Sequence, residues 1–342
     1  MASNRSIVWS RAAAAAAAAA LVGAAGTASA QSKLSVGMPT TPPNIVHMPL
    51  YVAQDLGLFK ADGLQLEVLA FEGGVKSFRA MVSGDVDVGV GSGPFSIVGR
   101  AKGAKTKLIL SSTPRLESSM VVQPGIKSLQ DLKGKRIGIQ QPGGFAYVLS
   151  MTVLRSVGLK DTDVKFVSIL SEDVPPLLAN QIDTAILHVD QEMVARAKRP
   201  DLHPIARLWE VAPKQLYVAF AAKESTINAK RKALLALVKG HIQASRMMYT
   251  ERDKVMPIVV KHTGLDPDIA RKAYDELVKS CIWDVNNGLT RDRIAATTES
   301  MIRAKNIDQD KAPSYQDVVD LSIGEEALKA LGPYQGPVCQ GS

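Results

Sequence analysis

Gly84-Asp85-Val86-Asp87-Val88-Gly89-Val90 aligns position by position with Asn180-Gln181-Ile182-Asp183-Thr184-Ala185-Ile186. Both segments stand at the same point of a strand–helix cycle. In the first cycle, apolar runs predict strands over Lys33 to Met38, Leu64 to Leu69, Asp87 to Val90 and Lys107 to Ser111. Helices fall between them, over Val75 to Ser83 and Phe95 to Lys102. The second cycle begins near Ser128, with strands over Arg136 to Ile139, Val164 to Ile169 and Ile182 to Leu187. Its helices end near Val157, start near Val174 and end near Lys198. Strands alternating with helices imply βαβ units and a largely parallel sheet. The expected fold is therefore α/β with two lobes, each built on a mixed, mainly parallel sheet. In the alignment Ser92 pairs with His188, and the loop from Pro39 to Met48 corresponds to Gln140 to Gly144. Matching loops then lie at the carboxyl ends of matching strands, the edge where open α/β sheets bind ligands.

After Leu216 the pattern changes. Tyr217 to Ala221 reads as a strand, and a helix starting near Lys230 places Leu234, Leu237, Val238, His241, Ile242, Ser245 and Met248 at helical spacing. That face reads as core, with His241 at its edge or on the helix surface. Asp266-Pro267-Asp268 is a helix start, with a capping acid and proline in the first turn. No low-complexity linker separates the cycles. The chain is expected to cross to the second lobe near Val121 and to return near Tyr217. Residues 31–120 with 217–342 then form one lobe and 121–216 the other, with two crossings as a hinge.

The first thirty residues read differently. Arg5 and Arg11 precede an alanine-rich apolar run from Ala12 to Ala25, and Ala28-Ser29-Ala30 is a small-x-small cleavage signal. This order predicts a cleavable secretory signal peptide over 1–30 and a mature chain in the periplasm. No later apolar run approaches the ~20 residues of a membrane helix. The formal charge of +8 falls to +6 once the two leader arginines go, a weak bias with no basic, aromatic-rich run to suggest nucleic acid. The only cysteines, Cys281 and Cys339, cannot furnish a four-ligand zinc site, and in an oxidising compartment they are expected to pair.

His47-Met48-Pro49-Leu50-Tyr51-Val52-Ala53-Gln54-Asp55-Leu56-Gly57-Leu58-Phe59, then Gly63-Leu64, resembles the opening of the solute-binding proteins of ABC transporters in their sulfonate, taurine, nitrate and thiamine-pyrimidine branch. Ser128-Leu129-Gln130-Asp131-Leu132-Lys133-Gly134-Lys135-Arg136-Ile137-Gly138 and Glu326-Ala327-Leu328-Lys329-Ala330-Leu331-Gly332 carry the same resemblance. It covers nearly the whole mature chain and implies two α/β lobes closing on a small-molecule ligand. It also implies a partner outside this chain, an ABC permease in the inner membrane. A monomer without cofactor is expected.

Ser92-Gly93 and Gly143-Gly144 each stand between a strand and a helix. Glycine lets backbone approach a ligand closely, and a helix N-terminus offers unpaired N–H groups to an anion. The same glycines also suit plain tight turns. His47 lies in the loop where the resembled family lines its cleft, and it suits either a ligand contact or a loop-stabilising role. His188 directly follows a buried strand. Arg115 fits a solvated residue better than a ligand contact, and Trp209 and Trp283 read as packing residues. The expected ligand set is Asn44, His47, Ser92, Gly93, Gln140, Gly143, Gly144 and His188, holding a small organic anion of sulfonate or carboxylate type. The competing ligand is a pyrimidine-type thiamine precursor, with which Asn44 beside His47 is compatible. An enzyme is the rival class, since fold-related thiamine-pyrimidine synthases exist. Their cysteine-rich iron motif is absent here, as are a Gly-x-Ser-x-Gly elbow, a P-loop and a His-Glu-x-x-His pair. The expectation is a binding protein, not an enzyme.

Overall fold

The computed structural model describes residues 31–142, 144–169 and 174–337, and of Ser92 the backbone only. The expected signal peptide at 1–30, Gly143 and Cys339 lie outside the described residues. Two five-stranded sheets form the frame. The first orders its strands β2-β1-β3-β10-β4, from β1 (Ser32–Met38), β2 (Leu64–Ala70), β3 (Val88–Ser92), β4 (Thr106–Thr113) and β10 (Val218–Lys223). The second runs β7-β6-β8-β5-β9, from β5 (Ser118–Val122), β6 (Arg136–Ile139), β7 (Lys165–Ser168), β8 (Thr184–His188) and β9 (His203–Arg207). The pairs β1–β2, β1–β3, β6–β7 and β6–β8 are parallel, while β10 and β5 run antiparallel to both neighbours. The two orders are one topology written twice, with β1, β2 and β3 standing where β6, β7 and β8 stand. In each sheet the antiparallel strand is the one reached by crossing from the other sheet. The chain passes over between Thr113 and Ser118 and comes back between Arg207 and Val218.

The helices that pack around the lobe contact and the crossings are α1 (Met48–Asp55), α2 (Gly74–Ser83), α3 (Gly93–Ala101), α4 (Phe145–Ser156), α5 (Val189–Lys198), α6 (Arg231–Thr250), α7 (Pro267–Lys279) and α8 (Arg291–Arg303). α6 buries the whole face expected from its spacing, Leu234, Leu237, Val238, His241, Ile242, Ser245 and Met248, against α1 and the first sheet. His241 is a correction to its expected place. It is 1% exposed, with its ring edge-on to Phe220 at 4.7 Å, because the face that carries it packs on α1 and the sheet. Asp266 caps α7 as its sequence indicates, accepting from the amides of Asp268 and Ile269 at 2.9 and 3.2 Å. Trp283 is a packing residue, buried with its indole N–H donating to the Val46 carbonyl at 2.9 Å.

Two strands escape the periodicity. β5 is buried at every position, so it has no solvent face to alternate with. β9 contains Pro204, which argues against a central strand but is tolerated at an edge, and β9 is the last strand of its sheet. Among the described residues no helix is long and apolar enough to cross a membrane.

Candidate ligand-binding site

The rim of each sheet is set by register. Ser92 and Thr113 both stand opposite Val218 on the first sheet, and Ser118 stands opposite His188 on the second. The loop after β1 ends in a short 3-10 turn, Ile45–His47, which faces the start of α5. Asn44 Nδ2 donates to both carboxylate oxygens of Asp190 at 3.2 Å, and the Ile45 amide donates to Asp190 Oδ2 at 3.0 Å. Three hydrogen bonds thus join the first lobe directly to the second. α7 packs against α5 on the same side.

Behind this contact lies a buried ionisable group supplied by the outgoing crossing. Glu117 is 1% exposed, and its carboxylate pairs with His188 Nδ1 and accepts from the Val189 amide at 3.2 Å. Burial pushes the Glu117 carboxyl up, and the His188 ring partly opposes that rise. The returning crossing supplies Tyr217. Its ring stacks on Phe145 with centroids 5.0 Å apart and 21° between planes, and its centroid lies 6.0 Å from that of His188. Burial, then the charges of Glu117 and Asp190, hold the Tyr217 phenol well above its ordinary value, so it stays a neutral donor. His47 is buried, its Nδ1 unpaired. Burial, with His188 and His241 adding like charge, drives its pKa down to about 3, which leaves a neutral imidazole with one donor and one acceptor. Thr40, Thr113 and Ser118 also carry buried hydroxyls without a partner.

The structure brings Asn44, His47 and His188 of the expected set to one place. Gly144 caps α4, whose first residue is the stacked Phe145. Gln140 is exposed at the end of β6. Gly93 has a different role from the one expected. Its amide donates to the Tyr217 carbonyl at 2.6 Å, so that N–H is spent and cannot receive an anion. Its missing side chain makes room for Leu216, whose Cδ2 would lie 2.4 Å from a Cβ there. Arg115 is half-buried away from this site, donating to the Ser280 carbonyl at 3.4 Å. Cys281 is disulfide-bonded and does not titrate as a thiol; Cys339, its expected partner, lies outside the described residues.

Glu117, Asp190 and Tyr217 are not legible as site residues in the sequence. Asp190 reads as an ordinary first-turn acid, favoured there by the helix dipole. Its one signal is position, two residues after the His188 that the repeat aligns with Ser92. Glu117 and Tyr217 sit in the crossings; the return is expected near Tyr217 from the sequence, but nothing in either segment marks a site role. Among the described residues no group of three or more His, Cys, Asp or Glu is arranged to hold a metal ion.

Comparison with known proteins bears on this arrangement. The protein of Haemophilus influenzae named "Putative thiamine biosynthesis protein" is 27% identical over 198 residues, 56% of this chain and 63% of that one. The chain thus aligns with somewhat less than two thirds of that relative's length. A solved protein of Bordetella bronchiseptica RB50 shares the fold with a TM-score of 0.74 at 21% identity, over 87% of this chain and 98% of that one. The alkanesulfonate-binding protein of Xanthomonas axonopodis pv. citri, solved with MOPS bound, gives 0.68 at 16% identity over 84% and 97%. These likenesses establish the two-lobed architecture of periplasmic binding proteins. Residues 44–254, well over half the chain, match the NMT1/THI5-like family, and the chain belongs to it.

Proposed function

We propose that this protein is the periplasmic solute-binding component of an ABC importer. It captures a small ligand between its lobes by hinge closure and passes it to an inner-membrane permease, without turning it over. The chain crosses between the two sheets at 114–117 and 208–217. The doubled sheet with two crossings supports a hinge in which ligand favours the closed state through its extra contacts there.

On ligand class, a small flat ring bearing N–H donors, of pyrimidine type, is favoured over a sulfonate or carboxylate. The observation that carries this is the pair of acidic groups at the lobe contact, Glu117 and Asp190, beside the row of rings Phe145, Tyr217 and His188. An anion brought among carboxylates loses hydration and meets like charge. A ring with amino groups finds acceptors and a stacking face. The anion reading keeps one support, the N-terminus of α4 behind Gly144.

Calorimetry with an aminopyrimidine, taurine, an alkanesulfonate, a small carboxylate and nitrate tests the assignment. Binding of the aminopyrimidine alone, weakened by Glu117→Gln, is expected. Binding of the anions alone would overturn it.

A further inference from the structure

α8 lies outside the cleft, yet one of its faces holds both crossings. Arg293 Nη1 donates to the Pro114 carbonyl of the outgoing segment at 2.8 Å and to the Pro213 carbonyl of the returning one at 3.0 Å. One turn on, Thr297 Oγ1 accepts from the Leu216 amide at 2.8 Å while donating to the Arg293 carbonyl at 2.7 Å. Ser300 Oγ then donates to Gln215 Oε1 at 3.4 Å. Positions 293, 297 and 300 share the spacing of a single helix face. Thr297, Ser300, Gln215 and Leu216 are buried, so these bonds are shielded from water. The loop leading into α8 extends the grip. The Asp284 amide donates to the Ser112 carbonyl at 2.9 Å, and the Ser111 amide donates to the Asn287 carbonyl at 2.8 Å, at the end of β4.

We infer that α8 is a splint that fixes where the chain bends when the lobes move, with Arg293 as the positioning residue that ties the two crossings to one point. The inference rests on the two-lobed closing mechanism proposed above. In the outgoing segment Pro114 is held by α8, while Glu117 is held by His188 and Val189 of the second lobe. The backbone pivot is thereby confined to Arg115 and Leu116, with the Arg115 side chain itself tied to the Ser280 carbonyl at 3.4 Å. In the returning segment the chain is held from Pro213 to Leu216, which leaves the bend on the α5 side of Pro213. Proline supplies both carbonyls that Arg293 holds, and its locked φ keeps each held point stiff. One planar guanidinium can serve two carbonyls at once, and an ammonium point charge fixes that geometry less well.

The test is an interlobe distance measured by paired spin labels at Lys60→Cys and Lys198→Cys, both exposed, one on each lobe. It is run on the parent, Arg293→Gln, Thr297→Val and, as a control on the same helix, Arg303→Gln. With no solute added, Arg293→Gln is expected to raise the population at non-parental distances at least roughly tenfold, because both hydrogen bonds from the charged donor, to Pro114 and to Pro213, are lost or weakened. Thr297→Val should do so less, and Arg303→Gln not at all. A distribution in Arg293→Gln that matches the parent, with only a lower melting temperature, would overturn the splint. So would an equal change in the control. A parent distribution that no solute in the panel moves refutes lobe closure instead, a separate result from failure of the splint.

Discussion

The two sheets share one strand order, and the same acid does the same job in each. In the first, Asp87 Oδ2 accepts from the Ser35 amide at 3.0 Å while its own amide donates to the Ser35 carbonyl at 3.1 Å. In the second, Asp183 Oδ2 accepts from the Arg136 amide at 2.8 Å and its amide donates to the Arg136 carbonyl at 2.9 Å. Each carboxylate then binds a cation, Lys230 at 2.7 Å or the Arg136 guanidinium at 2.8 Å. Six residues on, the lobes diverge. The first amide of α3, at Gly93, is taken by the Tyr217 carbonyl, and the equivalent amide of α5, at Val189, is taken by the Glu117 carboxylate. Both helix starts are thus tied to a crossing segment, one by neutral backbone and one by an acid. The duplicated frame sets the position of the cleft, and the unequal partner sets its chemistry. The second lobe presents carboxylates and rings, while the first presents amides and a neutral imidazole.

The largest test of that asymmetry removes the acid. Glu117→Ala leaves His188 and the Val189 amide without their buried partner, at a cost of about 3–5 kcal/mol in urea unfolding. Glu117→Gln keeps the shape and should cost less. A loss under about 1 kcal/mol in Glu117→Ala would mean that water replaces the carboxylate and that the second lobe is built like the first. Next comes the shared feature. Asp87→Ala and Asp183→Ala should each cost about 1.5–3 kcal/mol, because each removes hydrogen bonds to a charged acceptor. Unfolding midpoints at unchanged m-value would report it. Equal losses support a duplicated frame; a silent Asp87→Ala beside a costly Asp183→Ala would break the equivalence.

Much of this frame is legible in the residues. Lys33 to Met38, Leu64 to Leu69 and Arg136 to Ile139 are strands as read, and the α6 face comes from spacing alone. The aligned Asp87 and Asp183 are visible as a repeat without their hydrogen bonds. What stays hidden is whatever depends on the chain meeting itself at a distance. β5 has no solvent face, β9 breaks its pattern at Pro204, and His241 packs against elements remote in sequence. The site is half legible for the same reason. Asn44 and His47 sit on a loop and its 3-10 turn, and His188 ends a strand, all places that local patterns mark, whereas Glu117 and Tyr217 gain their roles only once the crossings lie side by side.

Glycine substitutions sharpen the contrast between the two helix starts at smaller cost. A Cβ at Gly93 would lie 2.4 and 2.8 Å from Leu216 Cδ2 and Cγ, and Leu216 is held by Thr297. Gly93→Ala should therefore cost about 1–3 kcal/mol by overpacking. At Gly144 the added Cβ meets Gln141 atoms at 3.1 Å, in a backbone conformation open to any residue. Gly144→Ala should cost under about 1 kcal/mol, the loss of a favoured N-cap residue being partly offset by the lower freedom of alanine in the unfolded chain. Equal thermal shifts in the two variants would contradict the difference in packing.

Acid provides the last comparison, with the smallest effect at neutral pH. The first lobe buries His47 and His241, with Nδ1 of the former and both nitrogens of the latter unpaired. In the second, His188 pairs with Glu117, and His203 Nε2 lies 2.9 Å from the Ile126 carbonyl. Burial holds both first-lobe imidazoles down to about 3. The unfolded chain protonates them near their ordinary 6.5, so between 6.5 and 3 it binds more protons than the folded chain. Stability therefore rises with pH through that window and is lost as pH falls. At pH 5 each histidine removes about 2 kcal/mol relative to neutral pH. His241→Leu should cancel one such loss, narrowing the gap between pH 7 and pH 5 by that amount. Amide exchange at pH 5 should open α6 and the first sheet before the second. A stability that stays flat in the parent from pH 7 to pH 5 would show that these imidazoles find proton acceptors, and the acid weakness of the first lobe would vanish with that result.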